Sequence, residues 1–141
     1  MRDDFPLPDR TWPLTAGFWD AAADRQLAIP RCAGCGRWVW YPRAACPGCG
    51  GRAMPWTAMG GTGRLHSWTT VHHCFLPAFD GLLPYSVGLV TLDEDPAVRV
   101  VTRLLGDPGQ LRADLAMVVE FRPLEFTGVQ GTVLAPWFRP A

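Results

Sequence analysis

Five cysteines and three histidines carry most of the reactive chemistry in this 141-residue chain. Four of the cysteines form two C-x-x-C pairs: Cys32-Ala33-Gly34-Cys35, and Cys46-Pro47-Gly48-Cys49. Thiolates are soft ligands, and four of them complete the tetrahedral shell of one zinc ion. Two intervening residues let both sulfurs of a pair turn toward a common centre. The neighbouring glycines, in Gly34-Cys35-Gly36 and Gly48-Cys49-Gly50-Gly51, permit the positive-φ turn that aims backbone N–H groups at sulfur. Two matched pairs read as a zinc ribbon, with a spacer somewhat shorter than the commonest form of the motif. A full set of four thiolates leaves no position for an activated water, so the expected metal, Zn2+, is structural. Two disulfides would require an oxidising compartment, and no export signal stands in Met1-Arg2-Asp3-Asp4-Phe5-Pro6. One metal also explains two pairs better than a redox-active C-x-x-C does.

The fifth cysteine, Cys74, lies beside His72 and His73, with His66 upstream. A Cys–His pair can generate a thiolate nucleophile. Adjacent strand residues face opposite ways, so His73 cannot serve Cys74, whereas His66, His72 and Cys74 share a face in strict alternation. No third orienting group is evident, and a strand-end thiol with polar neighbours is the simpler reading. No catalytic residue is assigned. Asp93-Glu94-Asp95 precedes Pro96 and reads as a solvated turn rather than a cation site. Gly61-Thr62-Gly63 opens a strand and lacks the third glycine of a dinucleotide fingerprint.

Composition narrows the class. The 13 basic residues are all arginine and are balanced by 13 acidic ones, giving a formal net charge of zero. Without lysine there is no Schiff base, no lysine-bound pyridoxal phosphate and no Walker A loop. Without surplus charge there is no bulk attraction for nucleic acid or anionic membrane. No apolar run is long enough to span a bilayer, and a reducing cytoplasm is expected. The 15 glycines and 14 prolines favour strands and turns.

These residues need elements to position them. Residues 1–13, with Pro6, Pro8 and Pro13, read as an extended arm that lies on something else. Thr15 is placed to cap an amphipathic helix running to about Leu27, with Phe18, Trp19, Ala22 and Ala23 inward. Residues 27–31 enter the first knuckle as a strand, Trp38 to Pro42 is the returning strand, and residues 50–59 are a linker. From Gly60 the chain reads as strands at 63–74, 85–92, 97–105, 117–121 and 132–138. A Pro/Gly-punctuated loop spans 75–84, and one helical turn spans 110–115. This is the element order of an OB-fold. The predicted organisation is mainly β: an N-terminal arm, helix and rubredoxin-like zinc ribbon over 1–59, then a five-stranded OB-fold barrel over 60–141.

Taken together, several segments identify a family. They are Phe18-Trp19 with its helix, Cys32-x-x-Cys35-Gly36, Tyr41-Pro42-Arg43, and Cys46-Pro47-x-Cys49-Gly50. To these add Gly61-x-Gly63, the strand ending Thr69-Thr70-Val71-His72, Pro84-Tyr85 opening Ser86 to Asp93, and Pro136-Trp137-Phe138-Arg139-Pro140. In order and spacing the chain resembles the zinc-ribbon/OB-fold family of acyl-CoA-associated proteins catalogued as domain of unknown function thirty-five. It departs at Ala116-Met117-Val118, where the family usually has a glycine before an apolar pair. The resemblance implies an accessory subunit in a hetero-oligomer with a thiolase-like enzyme, an aldolase derived from one, or a MaoC-type hydratase. It also implies acyl-CoA thioester chemistry carried by that partner: thiolysis, retro-aldol cleavage or acyl transfer.

A CoA channel needs cations for phosphate and an apolar wall for pantetheine. Arg43, Arg64, Arg103 and Arg139 are candidates for the first, and Phe75, Phe79 and Tyr85 for the second. Trp38 and Trp40 share one ribbon face with little interior to hide them. With Trp19 they form a candidate partner interface. A nucleic-acid-binding module is the alternative, since zinc ribbons and OB-folds both serve that role, but a positive groove is missing.

Overall fold

A computed structural model describes all residues, Met1–Ala141. Helix α1 spans Ala16–Ala23. Strands β1 (Ala28–Pro30) and β2 (Trp56–Ala58) bracket the cysteine pairs. Five longer strands follow: β3 (Thr62–Val71), β4 (Tyr85–Leu92), β5 (Arg99–Leu104), β6 (Ala116–Leu124) and β7 (Val133–Pro140). They close a barrel in the order β3-β4-β5-β7-β6. The fold is therefore mainly β, with one N-terminal helix ahead of a closed five-stranded OB-like barrel, as the sequence predicts.

Alternation builds the barrel. Along β4, Ser86, Gly88, Val90 and Leu92 are buried, while Tyr85, Val87, Leu89 and Thr91 face outward. The core joins Leu65, Val90, Leu92, Val100, Leu104, Met117 and Phe138 to Phe18, Leu27, Ile29 and Met59. Helix, ribbon root and barrel thus share one apolar interior. The helix can lie close because Gly17 has no side chain: a Cβ there would sit 2.1 Å from the Trp56 indole nitrogen.

Several local expectations differ from the structure. The helix stops at Ala23, not Leu27, because Arg25 adopts φ 57°. The Arg25 N–H then donates to Ala22 O, and the Gln26 N–H to Ala21 O. This is a Schellman ending with arginine in the place usually held by glycine. Thr15 holds the cap position without a side-chain hydrogen bond.

The expected returning strand at Trp38–Pro42 reduces to one bridge, Arg31 to Trp38. Pro42 has no N–H to extend a ladder, and β2, inside the expected linker, takes the free side of β1. The residues around the first histidine differ as well. A bulge between Leu65 and Ser67 breaks the alternation of β3 at His66, and the strand ends at Val71. His66, His72 and Cys74 therefore do not continue on one strand face. The expected turn near 110–115 is a 3₁₀ turn at Pro108–Gln110, with the Asp107 carboxylate accepting from the Gly109 N–H. Finally, residues 1–13 fold back on their own chain: Leu7 is buried, and Arg2 pairs with Asp4 and Asp9.

Candidate functional site

The two knuckles are built alike. In the first, the Gly36 N–H donates to Cys32 O over 2.8 Å; in the second, the Gly50 N–H donates to Cys46 O over 2.9 Å. Both glycines have φ 76°, the left-handed turn expected from the sequence. The hydrogen bond from the Cys32 N–H to Arg37 O closes the first loop, and that from the Cys46 N–H to Gly51 O closes the second.

These turns bring the four sulfurs together. Sγ of Cys32 lies 3.5 Å from that of Cys49, and Sγ of Cys35 lies 3.6 Å from that of Cys46. All four lie within 4.8 Å of one another. Zinc–sulfur bonds of about 2.3 Å in a tetrahedron separate sulfurs by about 3.8 Å. The donor set fits Zn2+ in number, type and spacing. It is the one place where three or more Cys, His, Asp or Glu side chains gather. Cys32 and Cys46 are buried, while Cys35 and Cys49 reach the surface.

Backbone dipoles set the order in which these thiols ionise. In the folded knuckles, before any cation is counted, the N–H groups of Cys49 and Gly48 draw Cys46 down to about 6. Cys32 is lowered chiefly by the Cys35 N–H. At Cys49 the Gly51 N–H pulls downward, but the sulfurs of Cys32, Cys35 and Cys46 outweigh it and raise the group to about 11. Crowded thiols cannot all carry charge without a cation. Zinc binding must displace thiol protons as the ribbon folds around the ion, so apparent zinc affinity should fall as pH drops, read by competition with a chelating indicator dye. An affinity independent of pH would contradict thiolate ligation.

The aromatic candidates lie around the ribbon root. Val39 turns inward with Cys32, Cys46 and Met54. Trp38 and Trp40, on its other side, are half-buried against the main core together with Trp19. One side of each ring packs on the main core and part of it stays accessible, where the sequence suggested a fully exposed face. Trp40 lies 5.4 Å from Phe18, and its buried indole N–H has no acceptor. Arg31 stacks over Trp38 at 4.8 Å.

The proposed channel residues do not converge. Arg43 is exposed on the ribbon. Arg64 sits beside Thr91 and donates to Asp114 O. Arg139 is exposed and pairs with Glu120 at 3.8 Å. Phe75 is 89% exposed and touches only His73 among the aromatic rings. Phe79, Tyr85 and Arg103 do come together: Phe79 stacks on Tyr85 at 6.1 Å, and Arg103 lies over Tyr85 at 4.9 Å.

Two members of this region were not legible as such. Trp137 covers Arg103 at 4.6 Å. Phe126 meets Phe79 at 5.2 Å, and Thr127 bonds Ala78 O and Asp80 O, tying the β6–β7 loop to the β3–β4 loop. Only the short Pro136-Trp137 motif hinted at the first. Cys74 makes no hydrogen bond to a histidine and stays a free, half-buried thiol. No helix is long and apolar enough to cross a membrane.

Comparison with known proteins agrees with this architecture. Residues 19–55 match the ChsH2 rubredoxin-like zinc ribbon domain, and residues 56–122 the ChsH2 C-terminal OB-fold domain. A solved structure described as an Ltp2-ChsH2(DUF35) aldolase is 33% identical, with a TM-score of 0.80, over 94% of this chain and 98% of that one. A protein of unknown function from the DUF35 family of Sulfolobus solfataricus shares the fold at 12% identity, with a TM-score of 0.58, over 94% of this chain and 89% of its own. A probable enoyl-CoA hydratase alpha subunit of Thermomonospora curvata is 36% identical over 126 residues, which is 88% of this chain. The chain spans 37% of that relative's length. With both halves matched in order and a solved relative aligned nearly end to end, the chain belongs to the ChsH2-type DUF35 family of zinc-ribbon/OB-fold proteins.

Proposed function

We propose that this chain is the accessory subunit of a thiolase-like or hydratase-type acyl-CoA enzyme, acting in a reducing cytoplasm. The partner supplies the nucleophile and bases. The ribbon and its aromatic root, with Trp19, Trp38 and Trp40, steady the contact, and the barrel helps line access for the CoA thioester. Of the candidate channel residues, Phe79, Tyr85 and Arg103 lie together and are proposed as the wall of that access, whereas Arg43, Arg64, Arg139 and Phe75 lie apart from them. The reading is supported best by the 33% identity over 94% of the chain to the Ltp2-ChsH2(DUF35) aldolase. The local chemistry is compatible: the one ligand cluster uses four thiolates and leaves no open position for catalysis.

The nucleic-acid reading draws less support. Oligonucleotide-binding barrels use the face made by their second and third strands. Here those are β4 and β5, whose outward side chains are Tyr85, Val87, Leu89 and Thr91 on the first and Arg99, Val101 and Arg103 on the second. The aliphatic groups at the centre of this face interrupt a continuous stacking platform.

The test is affinity purification of the tagged chain from its native cell, with identification of co-eluting subunits and assay against acyl-CoA thioesters. The expected result is a stoichiometric thiolase-like or hydratase subunit, with turnover by the complex and none by the isolated chain. Elution alone combined with salt-sensitive retention of single-stranded DNA would reverse the preference.

A further inference from the structure

The outer wall of the barrel carries an arginine without a counter-charge. Parallel pairing aligns Leu104 of β5 with Phe138 of β7, both pointing into the core. The residues just before them, Arg103 and Trp137, therefore face outward side by side. On the other edge, Arg103 pairs with Val87 of β4, and Tyr85 lies two residues along. Three adjacent strands thus set Tyr85, Arg103 and Trp137 in a row, with the guanidinium 4.9 Å from one ring and 4.6 Å from the other. A groove of about 230 Å³ runs past them, walled by Pro84, Leu105 and Gly106.

An arginine held between two rings has its faces covered and only its N–H edge free. Here that edge meets no protein acceptor. Arg103 makes no ion pair, and Glu120, the carboxylate on neighbouring β6, is shared by Arg122 and Arg139. Burial lowers its pKa, as expected of a cation short of a counter-charge, and Tyr85 offsets this in part. The Trp137 indole N–H, in the same stack, is buried without an acceptor. Partly desolvated donors without partners are uncommon in folded chains.

We infer that Tyr85, Arg103 and Trp137 form a clamp for one carboxylate attached to an apolar group. The in-plane fork of a guanidinium matches a planar carboxylate bidentately. Arg103 is the one cation lining this groove: Arg99, four residues back on β5, is about 13 Å away, and Arg139, two residues beyond Trp137 on β7, is paired with Glu120. A single positive charge beside Pro84 and Leu105 suits a monoanion next to hydrocarbon. Multiply charged, strongly hydrated phosphate needs more cations than this groove holds. The inference deepens the acyl-CoA reading by giving Arg103 a carboxylate rather than a CoA phosphate. It is tested on the isolated chain without any partner, so either can fail alone.

The experiment uses the zinc-loaded, ¹⁵N-labelled full chain. The Arg103 Nε–H and Trp137 Nε1–H cross-peaks are assigned with Arg103→Lys and Trp137→Phe. Hexanoate, hexanol and inorganic phosphate are titrated at constant ionic strength. Hexanoate should move both peaks saturably in the millimolar range and several-fold more tightly than phosphate, and hexanol should leave Arg103 unmoved. Arg103→Gln, with dispersion and Tm retained, should abolish the response, and Arg103→Lys should weaken it. The blocked tripeptide Leu-Glu-Leu, compared with hexanoate, separates a docking protein's carboxylate from a small acid as the source. No saturable shift, phosphate binding as tightly as hexanoate, or an undiminished response in Arg103→Gln would each overturn the clamp.

Discussion

Cys46→Ser should leave the chain unable to hold stoichiometric zinc and should unfold the ribbon while the barrel survives. The interior between the knuckles consists of Cys32, Val39 and Cys46, with Met54 against it. Three buried side chains, two of them metal ligands, cannot stabilise a loop of this length. The metal must supply the difference, and structural zinc sites contribute on the order of 10–16 kcal/mol. The barrel strands themselves supply Leu65, Val90, Leu92, Val100, Met117 and Phe138 to the shared interior, and their pairing does not pass through the ribbon. Metal analysis should therefore fall well below one zinc per chain. Limited proteolysis should cut within residues 31–55 and leave a resistant C-terminal fragment. Chelation of the wild-type chain should give the same cleavage pattern. If the variant keeps its protease resistance and Tm, the ribbon is not metal-dependent.

The second large effect is expected at Gly63, where the barrel closes. This residue pairs with Leu92 on one side and Met117 on the other. A Cβ at Gly63 would fall 2.3 Å from the Thr91 carbonyl oxygen and 2.9 Å from Val90 Cγ1. The first obstacle is backbone in a central strand and cannot rotate away. Gly63→Ala should cost about 3 kcal/mol or more, lowering Tm by about 10 °C. Gly60→Ala is the control: its Cβ would meet only Glu94 Oε1, at 3.8 Å, and stability should change by no more than about 0.5 kcal/mol. Equal Tm values for the two variants would mean that the closure at Gly63 is looser than drawn here.

The legible parts of the structure were those written in short-range pattern. Alternation in Ser86-Val87-Gly88-Leu89-Val90 gave β4 to the residue, because one face of that strand is buried along its whole length. The helix end was not legible, since a left-handed Arg25 closes it and side-chain type gives no hint of that. The bulge at His66 was hidden for a related reason. It answers to the register demanded by β4, which no pattern inside β3 records. Strand β2 was missed because Pro55-Trp56-Thr57 follows a knuckle and finds its partner only in β1.

By itself, the sequence determined the cysteine cluster and the order of the barrel strands. Ligand type, pair spacing and turn glycines act within a few residues, and alternation is local. Tertiary structure alone decided what the aromatics and arginines do. Trp38 and Trp40 became half-buried because the main core offered them a surface to pack on. Trp137 met Arg103 because a parallel pairing brought distant strands into one register. Of four candidate arginines, one was left between two rings without a counter-charge, since only barrel closure determines which charges find a partner.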